Sequence, residues 1–499
     1  MALGGVFMTD SDGNIGYNVP NNTERICGLL FDISGQPGFW ESGYPATVAD
    51  NLKDTVVEFN TLPDAVDAGI KPFDADTDAT SNFLHGIPYY HIKHFFDVAG
   101  GSGRLFVMFA DCSQNWNALI TMQKAAFGVI NQFGVWTEQY LWSHIDNTSP
   151  LYGVRLVGEL NSIAVSLAND YNAPVSVLLN ANSAKVLGAT NTTTEYSYTK
   201  VDDPTGNPHE QGWYKSDGNG GYVEASETSV ASETDYYIQT SAETSNTTVY
   251  DTVDLTKIPT CIISKRYVSV LLGQGIDNDV SGMQCKLTSK TPVGNVGAAL
   301  GVLSIASVAE SIGWVERYDV VSQFPDIEMG FGDSTIDATT GKLNNAISYS
   351  SLSTAQIDTL EDKGYIFLCR YVGYEGHVFF SSDRTCDDGD YRTISRNRTI
   401  NKSRRGVRRA LLKYVNSPVK IDPATGQLAA TQIAIYHNTV KAVLNDMVNN
   451  SEVSGIGSIS IPGDQNILQT DMLKISYTLV PIGTAKEIRV TEGFVLKQQ

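Results

Sequence analysis

Between Glu24 and about Ala184 the chain alternates short apolar runs with stretches of helical periodicity. Ile26–Ile33 (ICGLLFDI), Leu105–Ala110 (LFVMFA) and Val175–Leu179 have the length and composition of buried strands. Trp116–Phe133 and Leu160–Asn169 instead return an apolar residue every three or four positions, the spacing of a helix with one buried face. The alternation predicts an α/β unit whose sheet is covered by helices.

The pattern then breaks. From about Thr190 to Leu255 the chain is dominated by Thr, Ser, Asn, Tyr, Asp and Glu, with turn signals at Asp203-Pro204, Gly206-Asn207 and Asp217–Gly221. Such a segment supplies little core of its own, but its Tyr and Thr content, as in Asp235–Thr240 (DYYIQT), favours short strands over disorder. It is expected to be a small β-rich insertion at the surface, where an insertion is tolerated.

Apolar periodicity resumes at Thr260, with a strand at Val268–Leu272 and a long helix near Val296–Glu310. A third region opens around Thr354, where Tyr365–Leu368 (YIFL) and Val378–Phe380 (VFF) are strand candidates separated by turns at Gly373 and Gly376. Asn401–Val415 follows as an amphipathic helix. At about 100° per residue, Val407, Ala410, Leu411 and Tyr414 gather on one side and Lys402, Arg405, Arg409 and Lys413 on the other. A second helix is expected across Ala429–Val448. Leu473, Ile475, Tyr477 and Leu479 then alternate with Lys474, Ser476 and Thr478, the period-two pattern of a half-buried strand. Past Pro481–Gly483, Ile488 and Val490 lead to Phe494, Val495 and Leu496, an apolar segment that invites pairing with another strand.

Length and charge narrow the class. A chain of 499 residues that is 42% hydrophobic buries a sizeable core and is expected to form several domains. Its formal net charge of -20 opposes general nucleic-acid binding, which needs a positive surface. The opening MALGGVFMTDSDGNIG lacks the basic start and apolar run of a secretory signal, and the most apolar stretch, Val296–Ala309, is too short to span a bilayer and is expected to be a buried helix. Against the acidic background, Arg392, Arg396, Arg398, Lys402, Arg404, Arg405, Arg408, Arg409 and Lys413 form one cationic segment. It is read as a solvated helix, as a patch that docks an acidic partner or, less favoured, as a nucleic-acid contact.

Motifs for chemistry fail individually. Asp74, Asp76 and Asp78 alternate as in a calcium loop, but the sixth position is Ala79 and the twelfth His85; Asp10–Gly16 and Asp387, Asp388, Asp390 fail similarly. His91 and His94 share a helical face without a third zinc ligand nearby and are expected to be ordinary surface histidines. There is no G-x-S-x-G elbow and no phosphate loop, and Gly100–Arg104 fits a tight turn before a strand. Cys27, Cys112, Cys261, Cys285, Cys369 and Cys386 are scattered singly, as free thiols packed like small hydrophobes would be. No catalytic, cofactor-binding or metal residue is assigned, and no cofactor.

The order of features from Gly364 (GYIFLCRYVGYEGHVFFSSDRTC), through RTISRNRTINKSRRGVRRALLKYVNSPV, to ISYTLVPIGTAKEIRV resembles the C-terminal part of contractile tail sheath proteins of phage tails and related injection systems. The stretch NPHEQGWYKSDGNGGYV is similar to small β inserts of phage structural proteins. The resemblance implies a sheath-like α/β (α+β multi-domain) fold: an N-terminal arm (1–20), a sheath domain in two parts (21–189 and 259–352), the β-rich surface insertion (190–258), a C-terminal α+β sheath domain (353–485) and a C-terminal arm ending in an exchanged strand (486–499). It implies a non-enzymatic subunit of the virion tail or injection particle, assembled in the bacterial cytoplasm. Hexameric rings would stack helically around an inner tail tube protein, with baseplate and tail terminator proteins as further partners and neither nucleic acid nor membrane. Lys402, Arg405, Arg409 and Lys413 would face the tube, and Val6, Phe7, Met8, Ile488, Val490, Phe494 and Leu496 would lie on the inter-subunit arms. A baseplate or adhesin component, and a hydrolase with a non-local site, are the alternatives.

Overall fold

In the computed structural model, the structure describes residues 23–34, 52–72, 86–141, 155–182, 189–201, 213–216, 222–225, 236–249, 258–274, 294–325, 327, 329–330, 346–347, 349–465 and 467–494. The central element is a seven-stranded sheet. Its strands are β1 (Cys27–Asp32), β2 (Val57–Phe59), β3 (Leu105–Ala110), β4 (Gln132–Tyr140), β5 (Ser176–Asn182), β10 (Val268–Leu271) and β13 (Tyr365–Ile366), in the order β13-β10-β5-β4-β1-β3-β2. All neighbours are parallel except β2, which runs antiparallel to β3. Every residue of β1, β3 and β10 is buried, the continuous apolar run expected of a parallel strand covered on both faces.

Two cores lie on the two faces of the sheet. Ile26 and Leu30 join one with α3 (Ala118–Ala125) and α4 (Arg155–Asn169), through Leu119, Met122, Leu156, Leu160 and Leu167. Cys27, Leu29 and Phe31 join the other with α2 (Gly86–Val98) and α5 (Val296–Ile305); the short α1 (Leu62–Asp67) precedes α2. The helix α5 is buried from Val296 to Ser304, as its composition predicted. It crosses α2 so closely that a Cβ on Gly297 would stand 2.1 Å from the carbonyl oxygen of His91.

Sequence periodicity overran two helix ends. The predicted helix at Trp116–Phe133 stops at Ala125, because Phe127 and Gly128 take left-handed φ values of 51° and 77°, and the chain re-emerges as β4. The helix expected to reach Glu310 ends at Ile305, where Ala306 is extended. His91 and His94 also depart from expectation. They are buried on α2, with 0% and 7% exposure, since this helix packs against α5 in the core on one face of the sheet and Phe324 covers His94.

The polar segment forms its own four-stranded antiparallel sheet, order β6-β9-β7-β8, from β6 (Ala189–Val201), β7 (Trp213–Ser216), β8 (Tyr222–Ala225) and β9 (Tyr236–Val249). Short strands were expected, yet β6 and β9 have 13 and 14 residues. Two further pairs are brief: β11 (Met329–Gly330) with β12 (Ala346–Ile347), and β14 (Leu368–Cys369) with β15 (Phe379–Phe380). The helix α6 (Thr354–Asp362) starts at a capping box formed by Ser353 and Gln356.

The C-terminal unit consists of α7 (Ile394–Leu411), α8 (Ala430–Asn449), the one-turn α9 (Ile467–Thr470) and an antiparallel ribbon of β16 (Gly455–Ser460) and β17 (Ser476–Val480). Val407, Val440 and Leu444 form its small core, against which Ile456, Ile459, Ile475, Tyr477 and Leu479 pack. The predicted alternation is realised, since Tyr477 and Leu479 are half-buried between exposed Ser476, Thr478 and Val480.

Candidate assembly surface

The basic helix begins earlier than its amphipathic pattern suggested. Thr393 caps α7 by accepting a hydrogen bond from the Arg396 amide, so Ile394–Ile400 is helical too. This added first half is where the cationic segment is consumed. Arg398, read from sequence only as one charge among many, is 1% exposed. Its guanidinium donates to the carbonyl oxygens of Leu303 (2.9 Å), Ala306 (3.1 Å) and Ser307 (3.1 Å) at the end of α5. A helix leaves its last four carbonyls without intrahelical partners and carries negative partial charge at that end. No basic residue stands in the last turn of α5, so Arg398 supplies the cation from another helix. Burial pulls its pKa below the ordinary guanidinium value, opposed by the nearby Glu24 carboxylate.

Six residues on, the same device recurs on the other face. Arg404 donates to the Ala168 carbonyl (2.6 Å) and to Asn169 Oδ1 (3.2 Å) at the end of α4, which also lacks a basic last turn. At ~1.5 Å per residue, six residues advance about 9 Å along the helix, enough for two long arginines to reach one helix on each face of the sheet. Between them, Asn401 donates to the Val175 carbonyl and Arg405 to the Pro174 carbonyl (2.6 Å), just before β5. Arg405 also forms an ion pair with Glu24, before β1. Helices that return between parallel strands end at the strands' amino edge, so this edge collects negative helix termini. The helix α7 lies across it as the complementary cation.

Two of the four residues expected to face a tube are therefore held within the chain. Lys402 pairs with Glu452 and Arg405 with Glu24, their side chains 25% and 14% exposed. Pairing is what makes such burial tolerable. Arg409 and Lys413 are exposed, as is Arg408, and Lys413 lies 5.1 Å from the centroid of the Tyr414 ring. The exposed charge thus concentrates past the sheet edge, at the far end of α7.

The arm positions divide similarly. Val6, Phe7, Met8 and Leu496 lie outside the described residues, as do Cys285, Asp74, Asp76 and Asp78. Ile488, Val490 and Phe494 are described and exposed, at 81%, 81% and 109%. Residues 481–494 form neither helix nor strand here. The ribbon preceding them has one apolar face on α8, and among the described residues it contains only β16 and β17. Leu468, Met472 and Val480 add exposed apolar surface beside it.

For catalysis, a concentrated polar cluster among the described residues sits at the carboxyl end of β1. Asp32 is 1% exposed and accepts hydrogen bonds from the amides of Ser34 (2.9 Å) and Cys112 (3.0 Å), the hydroxyls of Ser34 (2.8 Å) and Thr137 (2.6 Å), and Gln139 Nε2 (2.8 Å). Five donors fill the capacity of one carboxylate, which makes it a knot tying three strand ends. The described cysteines are free and buried, and burial pushes the Cys27 and Cys369 thiols up to about 12. Among the described residues, no three His, Cys, Asp or Glu side chains are grouped to hold a metal, and no helix is long and apolar enough to cross a membrane.

The chain is thus a multi-domain α/β protein in which a basic helix joins a seven-stranded sheet body to a helix-and-ribbon unit. The DUF2586 N-terminal domain matches residues 233–384 and the DUF2586 C-terminal domain residues 390–499, in that order along the chain. Among solved structures, the chain is similar to one in the cryo-EM structure of the anti-feeding prophage (AFP) baseplate, at 10% identity and a TM-score of 0.49, covering 99% of this chain and 100% of that one. It is similar to one in the PVC sheath complex of an extracellular contractile injection system in its contracted state, at 8% identity and a TM-score of 0.49, covering 99% and 98%. A sheath tail protein from Desulfitobacterium hafniense aligns at 8% identity and a TM-score of 0.39, covering 96% of this chain and 100% of that one. No curated protein matches.

Proposed function

We propose that the chain is a structural subunit of a contractile tail sheath, assembling in hexameric rings stacked around an inner tube and contracting to drive that tube through a target envelope. The observation that carries this reading is the C-terminal unit. A two-stranded ribbon packed on one face is followed by an unpaired segment with Ile488, Val490 and Phe494 exposed. An extended segment of that kind gains main-chain hydrogen bonds by adding to a neighbour's sheet. Such links hold subunits together while letting them pivot, so contraction draws on the difference between two packings and requires no cofactor.

In this reading residues 1–20 and 486–499 are the arms, 21–189 and 259–352 the sheath domain, 190–258 an outward insertion and 353–485 the C-terminal sheath domain. Of the stripe of Lys402, Arg405, Arg409 and Lys413 expected to face the tube, Lys402 and Arg405 are paired within the chain, so the contact is carried by its exposed end, Arg409 and Lys413. Baseplate and terminator proteins close the two ends of the polymer.

The test is negative-stain electron microscopy of the purified chain at high concentration, intact and lacking residues 486–499. Long hollow cylinders from the intact chain alone are expected. Closed, finite particles at every concentration would overturn the sheath reading and favour a baseplate or adhesin component, because a closed symmetry does not propagate.

A further inference from the structure

Among the described residues, a single ion pair ties the exposed C-terminal segment to the sheet body of its own chain. Lys486 Nζ lies 2.5 Å from Glu361 Oε2, with the lysine side chain 56% exposed and the glutamate 19%. Glu361 stands in the last turn of α6, next to Asp362. Two carboxylates there meet the negative end of the helix, and no basic residue in that turn offsets them. Lys363, which follows, sends its ammonium to the Ile258 carbonyl. Lys486 thus brings to Glu361 the positive charge that this helix end lacks. Around it the segment buries little: Ile488 and Val490 are both 81% exposed, and the neighbouring Arg489 pairs locally with Glu487.

The segment thus holds Ile488, Val490 and Phe494 in the open while this one ion pair, among the described residues, fixes it to the sheet body. We infer that the Lys486–Glu361 pair is a latch, which holds residues 481–494 against α6 of their own subunit and opens before they add to a neighbouring one. The inference rests on the sheath reading. It makes the free subunit slower to nucleate than its exposed apolar surface alone would dictate, and makes nucleation sensitive to ionic strength, because an exposed pair is screened by salt.

The test compares the full-length wild-type chain, Glu361→Gln, and the charge swap Glu361→Lys with Lys486→Glu. Trypsin cleavage after Arg489 is followed in dilute subunits, and the lag before polymer formation is followed by light scattering with electron microscopy of the product. Glu361→Gln is expected to speed cleavage and shorten the lag, each by about two- to fivefold, the range set by the strength of a surface ion pair. The swap should restore both values, and added salt should shorten the lag of the wild type but not of Glu361→Gln. Unchanged cleavage in Glu361→Gln would overturn the latch, as would faster cleavage with an unchanged or longer lag. Absence of polymer from the wild type itself would overturn the sheath reading, and the latch with it.

Discussion

Replacing Arg398 by methionine keeps much of the side-chain volume and removes three charged hydrogen bonds, those to Leu303, Ala306 and Ser307. Each hydrogen bond to a charged group contributes ~1.5–3 kcal/mol, so three contribute roughly 4–9 kcal/mol before the cost of desolvating the guanidinium is subtracted. That cost is several kcal/mol for an ion as buried as this one. The Leu303 and Ala306 carbonyls, however, lose this donor in the variant, whereas Ser307 keeps the Glu310 amide. We therefore expect Arg398→Met to lose about 2–4 kcal/mol and Arg398→Ala about 4–5 kcal/mol, the difference being the cavity. Arg398→Lys should fall between wild type and methionine, because one ammonium lacks the planar fork that reaches three carbonyls. Urea unfolding followed by far-UV circular dichroism measures these values, and hydrogen exchange at the end of α5 shows whether the loss is local. A methionine variant as stable as wild type would refute the reasoning, since the helix end would then need no cation.

Acid sensitivity should trace partly to His94, which lies between Tyr90 (ring centroids 4.0 Å apart) and Phe324 (5.0 Å). Burial lowers its pKa to about 3. The unfolded chain binds this proton near pH ~6.5, so its contribution is intact above that value and falls as pH drops toward 3. Roughly 2 kcal/mol should disappear between pH ~6.5 and pH ~4.5, and His94→Gln should flatten the urea midpoint over that interval. Gly297→Ala should cost about 2–3 kcal/mol in the same unfolding assay, because its new methyl meets backbone rather than a side chain able to move. Under the sheath reading, Arg409→Glu with Lys413→Glu should abolish co-sedimentation of the polymer with tube protein while leaving stability within about 0.5 kcal/mol; retained binding would exclude that end of α7 as the contact.

The sheet was legible because its strands are buried on both faces. Runs such as LLF and LFVMFA are the continuous apolar stretches, rich in large side chains, that such strands require. The C-terminal ribbon was legible for the opposite reason: its one-sided burial imprints a period of two on Leu473–Leu479. Helix ends were harder to read. Apolar spacing alone carries Trp116–Phe133 through without a break, whereas the conformation depends on Phe127 and Gly128 adopting left-handed angles. The glycine is a usable signal there, but a phenylalanine at positive φ is one that sequence seldom offers. His91 and His94 were misplaced because burial of α2 comes from α5, some two hundred positions away in the chain, and local periodicity contains nothing of that approach.

The reading of α7 left out its partners within the chain. A cluster of arginines and lysines in an acidic chain suggests an external acidic partner, yet much of the negative surface it answers is internal and carries no acidic side chain. Carbonyls at the ends of α4 and α5 and before β5 attract Arg404, Arg398 and Arg405 without appearing as charge in the sequence. A count of charged residues registers the cations and overlooks these partners, so it overstates the free positive charge. The useful signal is instead periodic. Arg398 and Arg405 are seven positions apart and so share a face of the helix, with Arg404 next to it, and that face also carries Ile394 and Asn401, both buried. Arg408, Arg409 and Lys413 come after this interleaving ends. Cations spaced among small buried residues fasten the C-terminal unit to the sheet body; under the proposed reading, those beyond them are the ones left for a partner. Under the sheath reading, α7 is then one path by which force applied at the ribbon would reach the sheet body.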